Sequence, residues 1–309
     1  VALVTDIGGL GDRSFNAEAW HGLQRARVRL GVEIVVRQSR TVNDYYPYLS
    51  QMAASHAALI VAIGSSMATS VDAAAKQYPD QRFALVDARP QSSPGTEVNV
   101  PNVANLLFSE PQAGYLAGAL AGLMERKHVS GASHNMVAWI GGQDIPPVSR
   151  YLAGFEAGAR HVDPSIKILR DYVGSFDSPS AGRAAAQSQA HAGADIFFQV
   201  AAATGAAYLQ AAEGRGKFGI GVDTDQTYLG GRTITSAIKR VDVAVYDIVR
   251  DVQDGKFRSY DHRYGVADGG AGLSTPSDVV PASVLRGVKR VEQQIRRGTL
   301  NVPEQLPAR

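Results

Sequence analysis

The sequence predicts an α/β protein of two doubly wound, mostly parallel-sheet lobes joined by a hinge, and three observations predict it. Short β-branched or apolar runs alternate with amphipathic stretches of helical length, the signature of successive β–α–β units. The alternation runs its course by about residue 108 and then begins again, which two similar sheets explain more economically than one very wide sheet. The chain's 309 residues also exceed the usual length of one compact domain, so two lobes of about 150 residues are expected.

In order along the chain, strands are expected near 1–5, 32–37, 58–63 and 82–87, with helices near 14–30, 44–56 and 66–78 between them. A connecting strand near 103–108 leads to a helix from 110 to 126. The second set has strands near 136–141, 166–173, 195–200 and 217–222, separated by helices near 146–161, 179–191 and 204–214. A strand near 232–239 and helices near 241–254 and 281–298 complete it. The Gly- and Ser-rich stretch Asp268 to Ser277 reads as a flexible loop. The expected boundaries are 1–107 plus 240–262 for the first lobe and 108–239 plus 263–309 for the second, with a ligand cleft between them.

Apolar residues at 45% against 19% charged exclude a disordered chain. The formal charge is +2 and the basic residues are dispersed, so nucleic acid is not an expected partner; Arg286, Lys289, Arg290, Arg296 and Arg297 cluster in one expected helix and read as its solvated face. There is no cysteine, which removes disulfides, thiolate metal sites and a Cys nucleophile. No apolar run reaches the ~20 residues that span a bilayer, the nearest being Ala113 to Met124. The sequence opens on a strand without an initiator Met, as a mature or trimmed chain would, so any export signal or lipid-anchoring Cys lies outside it.

In open parallel sheets ligands bind beyond the carboxyl ends of the strands, where strand order reverses. The expected strand ends carry Asp6, Gly64 to Ser66, Asp87, Gly141 to Asp144, Ser175-Phe176, Ala201 to Gly205 and Asp223, a set that suggests a polar small-molecule cleft. The loop Thr5-Asp-Ile-Gly-Gly-Leu-Gly-Asp-Arg-Ser-Phe-Asn16 fits neither the G-x-G-x-x-G nor the P-loop spacing, and its two carboxylates repel phosphate. Asp12 or Ser14 reads as a cap of the following helix. Phe15 stands open between core packing and ligand stacking. Trp20 and Trp139 read as core.

Asp6-Ile-Gly-Gly with Ser14-Phe-Asn16 and Trp20, Ile140-Gly-Gly-Gln-Asp-Ile-Pro146, Tyr172-Val-Gly-Ser-Phe176, Thr204-Gly205, Gly221-Val-Asp-Thr-Asp-Gln226 and Lys239-Arg-Val-Asp-Val-Ala-Val-Tyr-Asp247 together resemble, in order over nearly the whole chain, the basic membrane protein family of bacterial nucleoside-binding lipoproteins. The resemblance implies a type I periplasmic-binding-protein fold and an extracytoplasmic protein, in the periplasm or lipid-anchored at the cell membrane. It would capture a nucleoside, purine in the best-understood members, by lobe closure and deliver it to an ABC transporter permease. It also implies that Phe15 and Phe176 sandwich the base, that Asp6 and Asn16 bond its polar edge, and that Asp223 and Lys239 hold the ribose hydroxyls, with Asp87 a further contact. The physical needs agree, since a flat ring is held between two π-faces and a carboxylate accepts both donors of a cis-diol. Where the family usually has glycines, this chain has Ala202 and Ala203; the Ala202 N–H remains a donor to the sugar, but the methyl crowds the turn. Asp225 is secondary.

No catalytic residues, metal or cofactor are expected. A nucleoside hydrolase or phosphorylase is the chief rival, yet Asp6 with Asp12 lacks the dense Asp cluster of a metal-dependent hydrolase. The histidines at 21, 56, 128, 134, 161, 191 and 262 include no H-x3-H pair, and no G-x-S-x-G elbow occurs. The ligand-sensing domain of a transcription regulator is the second rival and needs a DNA-binding element, of which the chain shows no sign.

Overall fold

The computed structural model describes residues 1–129 and 131–306. The chain forms two compact units, the first from Val1–Phe108 with Arg240–Tyr264, the second from Ser109–Lys239 with the segment from Gly265 onward.

The first unit opens with β1 (Ala2–Thr5), whose four residues are all buried, then α1 (Phe15–Leu30), β2 (Val35–Gln38), α2 (Tyr45–Ala54), β3 (Ile60–Ile63), α3 (Ala68–Gln77) and β4 (Phe83–Val86). A small hairpin of β5 (Gln91–Ser93) and β6 (Thr96–Glu97) precedes β7 (Val103–Phe108). The second unit continues with α4 (Glu110–Arg126), β8 (Met136–Gly141), α5 (Pro146–Val162), β9 (Lys167–Tyr172), α6 (Pro179–His191), β10 (Ile196–Val200), α7 (Ala202–Glu213), β11 (Phe218–Asp223) and β12 (Thr233–Lys239). The chain then returns to the first unit for α8 (Val241–Gln253) and β13 (Asp261–Tyr264), and ends in the second with β14 (Ala271–Leu273) and α9 (Ala282–Arg296).

The first sheet has the order β13-β7-β4-β3-β1-β2 and is parallel throughout. The second repeats it as β14-β12-β11-β10-β8-β9, with an antiparallel edge at β14. This is the α/β, doubly wound arrangement expected. In each sheet strand order reverses between the first and third strands of the unit, β1 against β3 and β8 against β10, so the switch points lie beyond Thr5 and Ile63 and beyond Gly141 and Val200. β4 and β11 hold the same place in their sheets.

Helices cover both faces because their apolar stripes face the sheet. In α1, Ala19, Leu23 and Ala26 are buried, and the helix stops at Gly31, whose left-handed φ of 70° lets its N–H reach the Arg27 carbonyl. The apolar stretch from Ala113 to Met124 is the inner part of α4, buried almost from end to end. It packs on α5 through reciprocal glycines: a Cβ on Gly118 would lie 2.0 Å from the Phe155 carbonyl oxygen, and one on Gly158 2.0 Å from that of Tyr115. Among the described residues no helix is long and apolar enough to cross a membrane.

Two expectations are corrected. The stretch from Asp268 to Ser277 is no featureless loop, since Ala271–Leu273 pairs with Ala237 to Lys239 as an edge strand and Ser274 N–H donates to the Ser236 carbonyl. The helix expected at 204–214 starts two residues earlier, at Ala202. Trp139 is wholly buried in the second unit's core, and Trp20 packs half-buried against the first unit's.

Candidate functional site

In the first unit Asp6 immediately follows β1 and is anchored by one oxygen. Its Oδ1 accepts the Gly8 N–H at 2.8 Å and the Asn16 Nδ2 at 2.8 Å. Gly64, held at φ 105° beyond β3, lies so close that a Cβ there would come within 3.1 Å of Asp6 Oδ2. Two glycines thus make room for one carboxylate at the switch point. Burial pushes the Asp6 carboxyl up to about 6, and the charges of Asp12 and Asp87 push the same way, while the bonds from Asn16 and Gly8 hold it down. Tyr45, whose hydroxyl lies 3.3 Å from Ser66 Oγ, is raised above its ordinary value by burial.

Asn16 is almost wholly buried, and its amide is engaged within the unit. Oδ1 accepts the Asp6 N–H, and Nδ2 donates to both Asp6 Oδ1 and Asp12 Oδ2. Asp12 in turn accepts the backbone N–H groups of Ser14, Asn16 and Ala17, the capping role read from the sequence. Phe15 is half-buried against the first unit's core. Asp87 follows β4, is 7% exposed and has a left-handed φ of 69°.

The second unit carries a matching set. Asp223, the last residue of β11, is 9% exposed with φ 64°, the counterpart of Asp87 in strand and in backbone conformation. Ala202 opens α7 at φ 48°, a region where an L-residue other than Gly, Asn or Asp is strained by about 1–2 kcal/mol. Such strain clusters where surrounding structure imposes a geometry, and Ala202 stands just beyond the end of β10. Phe176, half-buried, lies directly against Gly142, where a Cβ would fall 2.3 Å from its ring. Its carbonyl accepts the Thr204 N–H, tying the ring's loop to α7.

Lys239 ends β12, next to Asp223, because the register pairs Asp223 with Ile238. Its side chain is 4% exposed, with Nζ 3.7 Å from Glu110 Oε1 and 5.8 Å from the centre of the Tyr151 ring. Arg150 grips the same carboxylate, Nε to Oε2 at 2.9 Å and a terminal nitrogen to Oε1 at 3.2 Å. Lys239 therefore belongs to a group in which buried Glu110, at the start of α4, offsets two positive charges. Asp225 accepts the Thr227 N–H in a turn.

Behind Asp223 and Ala202 lies a buried amide relay. Gln199 Oε1 accepts the Ala201 N–H, Gln199 Nε2 donates to Gln226 Oε1 at 2.7 Å, and Gln226 Oε1 also accepts the Val222 N–H. Gly205 and Gly221 leave space for these side chains, since a Cβ on either would overlap them. Sequence reasoning assigned no role to Glu110, Arg150, Gln199 or Gln226. The one available signal was Gln199, a polar residue inside the apolar strand Ile196–Val200.

The strand ends of the first unit thus carry two carboxylates and a nearby phenyl ring, and those of the second a carboxylate, an ammonium, a phenyl ring and the backbone N–H groups of a helix start. Among the described residues no group of three or more His, Asp or Glu side chains is placed to hold a metal ion. The pattern of a protein family described as "ABC transporter substrate-binding protein PnrA-like" matches residues 1–306. The chain belongs to that family.

This PnrA-like protein is 32% identical to an uncharacterized lipoprotein of Pyrococcus horikoshii, over 88% of its own length and 68% of the relative's. It is 29% identical to the ABC transporter nucleoside-binding protein BmpA of Lactococcus lactis, over 98% and 88%. An ABC transporter solute-binding protein of Aeropyrum pernix superposes with a TM-score of 0.87 at 28% identity, covering 98% of this chain and 93% of the other. The protein is thus the solute-binding component of an ABC transporter, a receptor for a small molecule that works with a permease outside the cytoplasm.

Proposed function

We propose that the solute is a nucleoside, most suitably a purine nucleoside, captured without chemical turnover between the strand ends of both units as they close on it. The observation that carries the reading is the aromatic and carboxylate set beyond the strand ends of the two units. Phe15 and Phe176 are each backed by their own unit, and Asp6 and Asp223 are each fixed at a strand end. The name of the Lactococcus lactis relative supports the same reading. Phe15 and Phe176 take the faces of the base, Asp6 its polar edge, and Asp223, Lys239 and the Ala202 N–H the ribose, with Asp87 a further contact. Asn16 contributes by orienting Asp6 and through the second lone pair of its Oδ1, since both its N–H donors are already engaged.

Calorimetric titration with one base as nucleoside, 2′-deoxynucleoside and 5′-monophosphate tests this. The expected order of affinity is as written. Loss of the 2′-hydroxyl leaves part of Asp223 unmet at about 1–3 kcal/mol. A phosphate meets a site where Asp6, Asp87, Asp223 and Glu110 outnumber Lys239 and Arg150, and like charges ~4 Å apart repel by about 4 kcal/mol at an effective dielectric near 20. Phe15→Ala and Phe176→Ala each remove about 1–3 kcal/mol of binding. A monophosphate that binds as tightly as its nucleoside, or release of free base on incubation, overturns the reading.

A further inference from the structure

The last helix carries a feature that solute capture does not use. The buried residues of α9 are Val284, Gly287, Val288, Val291 and Ile295, one continuous stripe at helical spacing. Gly287 sits over Leu123 of α4, where a Cβ would come within 2.6 Å of Leu123 Cδ1, so the helix is mounted tightly on the second unit. At 100° per residue, Arg286, Lys289, Arg290 and Arg297 fall on the opposite side, with only Gln293 among them, and all four are exposed. From Arg286 to Arg297 the row spans about 16 Å.

A helix face that merely meets water ordinarily mixes both signs at i, i+4 spacing. Here Glu292 is the helix's one acid, and it pairs with Arg296 on the flank of the row. None of the four cations has an ion-pair partner among the described residues. Their weight in the whole chain is large: without them the formal net charge of +2 becomes −2.

We propose that this row is an adsorption surface for an anionic phospholipid membrane, which holds the second unit against the bilayer that carries the permease. Four or more Lys or Arg residues on an amphipathic helix are what an anionic headgroup layer attracts. The family's work with a membrane-embedded permease, and the lipoprotein relative, put such a layer within reach of this chain. Because the apolar side of α9 is already buried in the protein, the helix has nothing to insert. Adsorption is therefore electrostatic, reversible and weakened by salt, unlike that of helices that sink an apolar face into the headgroups.

The test is co-sedimentation of the full chain with vesicles of phosphatidylglycerol and phosphatidylcholine, against vesicles of phosphatidylcholine alone. Binding is expected only to the first, and is expected to vanish as salt is raised from about 0.01 M to 1 M, where the screening length falls from ~30 to ~3 Å. Each charge removed lowers partitioning about fivefold, so the combination of Arg286→Gln, Lys289→Gln, Arg290→Gln and Arg297→Gln loses at least a hundredfold. Arg→Lys at the three arginines retains binding, since a diffuse anionic layer does not require the guanidinium fork. Neutralisation to Gln of four exposed cations of the first unit, Arg27, Arg29, Arg82 and Arg258, serves as the charge-matched control and leaves binding within a fewfold. Equal binding to both vesicle types, an equal loss in the control, or attachment seen only when purified permease is added to neutral vesicles each overturns the proposal. Far-ultraviolet circular dichroism on every variant separates loss of charge from loss of fold.

Discussion

Asp6 shows how a carboxylate is held at a strand end. Its carboxyl is raised from its ordinary 3.8 to about 6, chiefly by burial. The folded state therefore favours the protonated form. The cost of ionising Asp6 is absent below about 3.8, grows as pH rises, and is complete above about 6. Asp6→Asn keeps an oxygen for Gly8 and Asn16 while removing the charge. In thermal melts of the ligand-free protein it should match the wild type near pH 3.5 and exceed it by up to about 3 kcal/mol at pH 7.5, with the gap opening between about pH 4 and 6. Parallel pH curves for the two proteins would show that the carboxylate carries no such cost. Asp6 itself was legible in the sequence, as an acid after a strand beside glycines. The engagement of both Asn16 donors was not, because it depends on which way one amide points, and the partners of Lys239 were not, because Glu110 and Arg150 lie far from it along the chain.

Among the elements, those with a buried apolar run were legible nearly to the residue, as at Met136–Gly141 and Thr233–Lys239. Those missed have no such run. β13 reads Asp-His-Arg-Tyr and is a strand because β7 supplies its hydrogen bonds; β14 reads Ala-Gly-Leu and pairs with β12. Edge strands of this kind are made by their neighbours more than by their own side chains. The amide relay between β10 and β11 was likewise hidden, since it links residues 27 apart, yet it sets the backbone that carries Ala201 and Asp223. Gln226→Leu leaves both Gln199 Nε2 and the Val222 N–H buried without an acceptor. A loss of about 2–6 kcal/mol in urea unfolding is expected, at 1–3 kcal/mol per stranded group, together with weaker solute binding. A variant within 0.5 kcal/mol of the wild type would show that water or a shifted side chain replaces the amide.

The repeat of one alternating pattern was enough to read two doubly wound sheets from the sequence, because both sheets use the same strand order. How each unit is completed was harder to read, since that depends on packing between distant segments. The first unit is closed by α8, which buries Val241, Ala244, Val245, Ile248 and Val249 in the same core as Leu23 of α1. The contact is so close that a Cβ on Gly22 would lie 2.5 Å from the Asp242 carbonyl oxygen. A fragment of residues 1–108 therefore keeps five of six strands but exposes that core, and should lack dispersed amide resonances. Joining residues 240–264 to it through a flexible linker should restore them. A fragment that folds alone would show α8 to be dispensable. The same closure fixes a timetable. On a ribosome adding ~5–20 residues per second, α8 emerges roughly 7–30 s after β7. Throughout that interval the leading third of the polypeptide cannot seal itself, so a secretion channel that accepts only unfolded chain would find it still threadable.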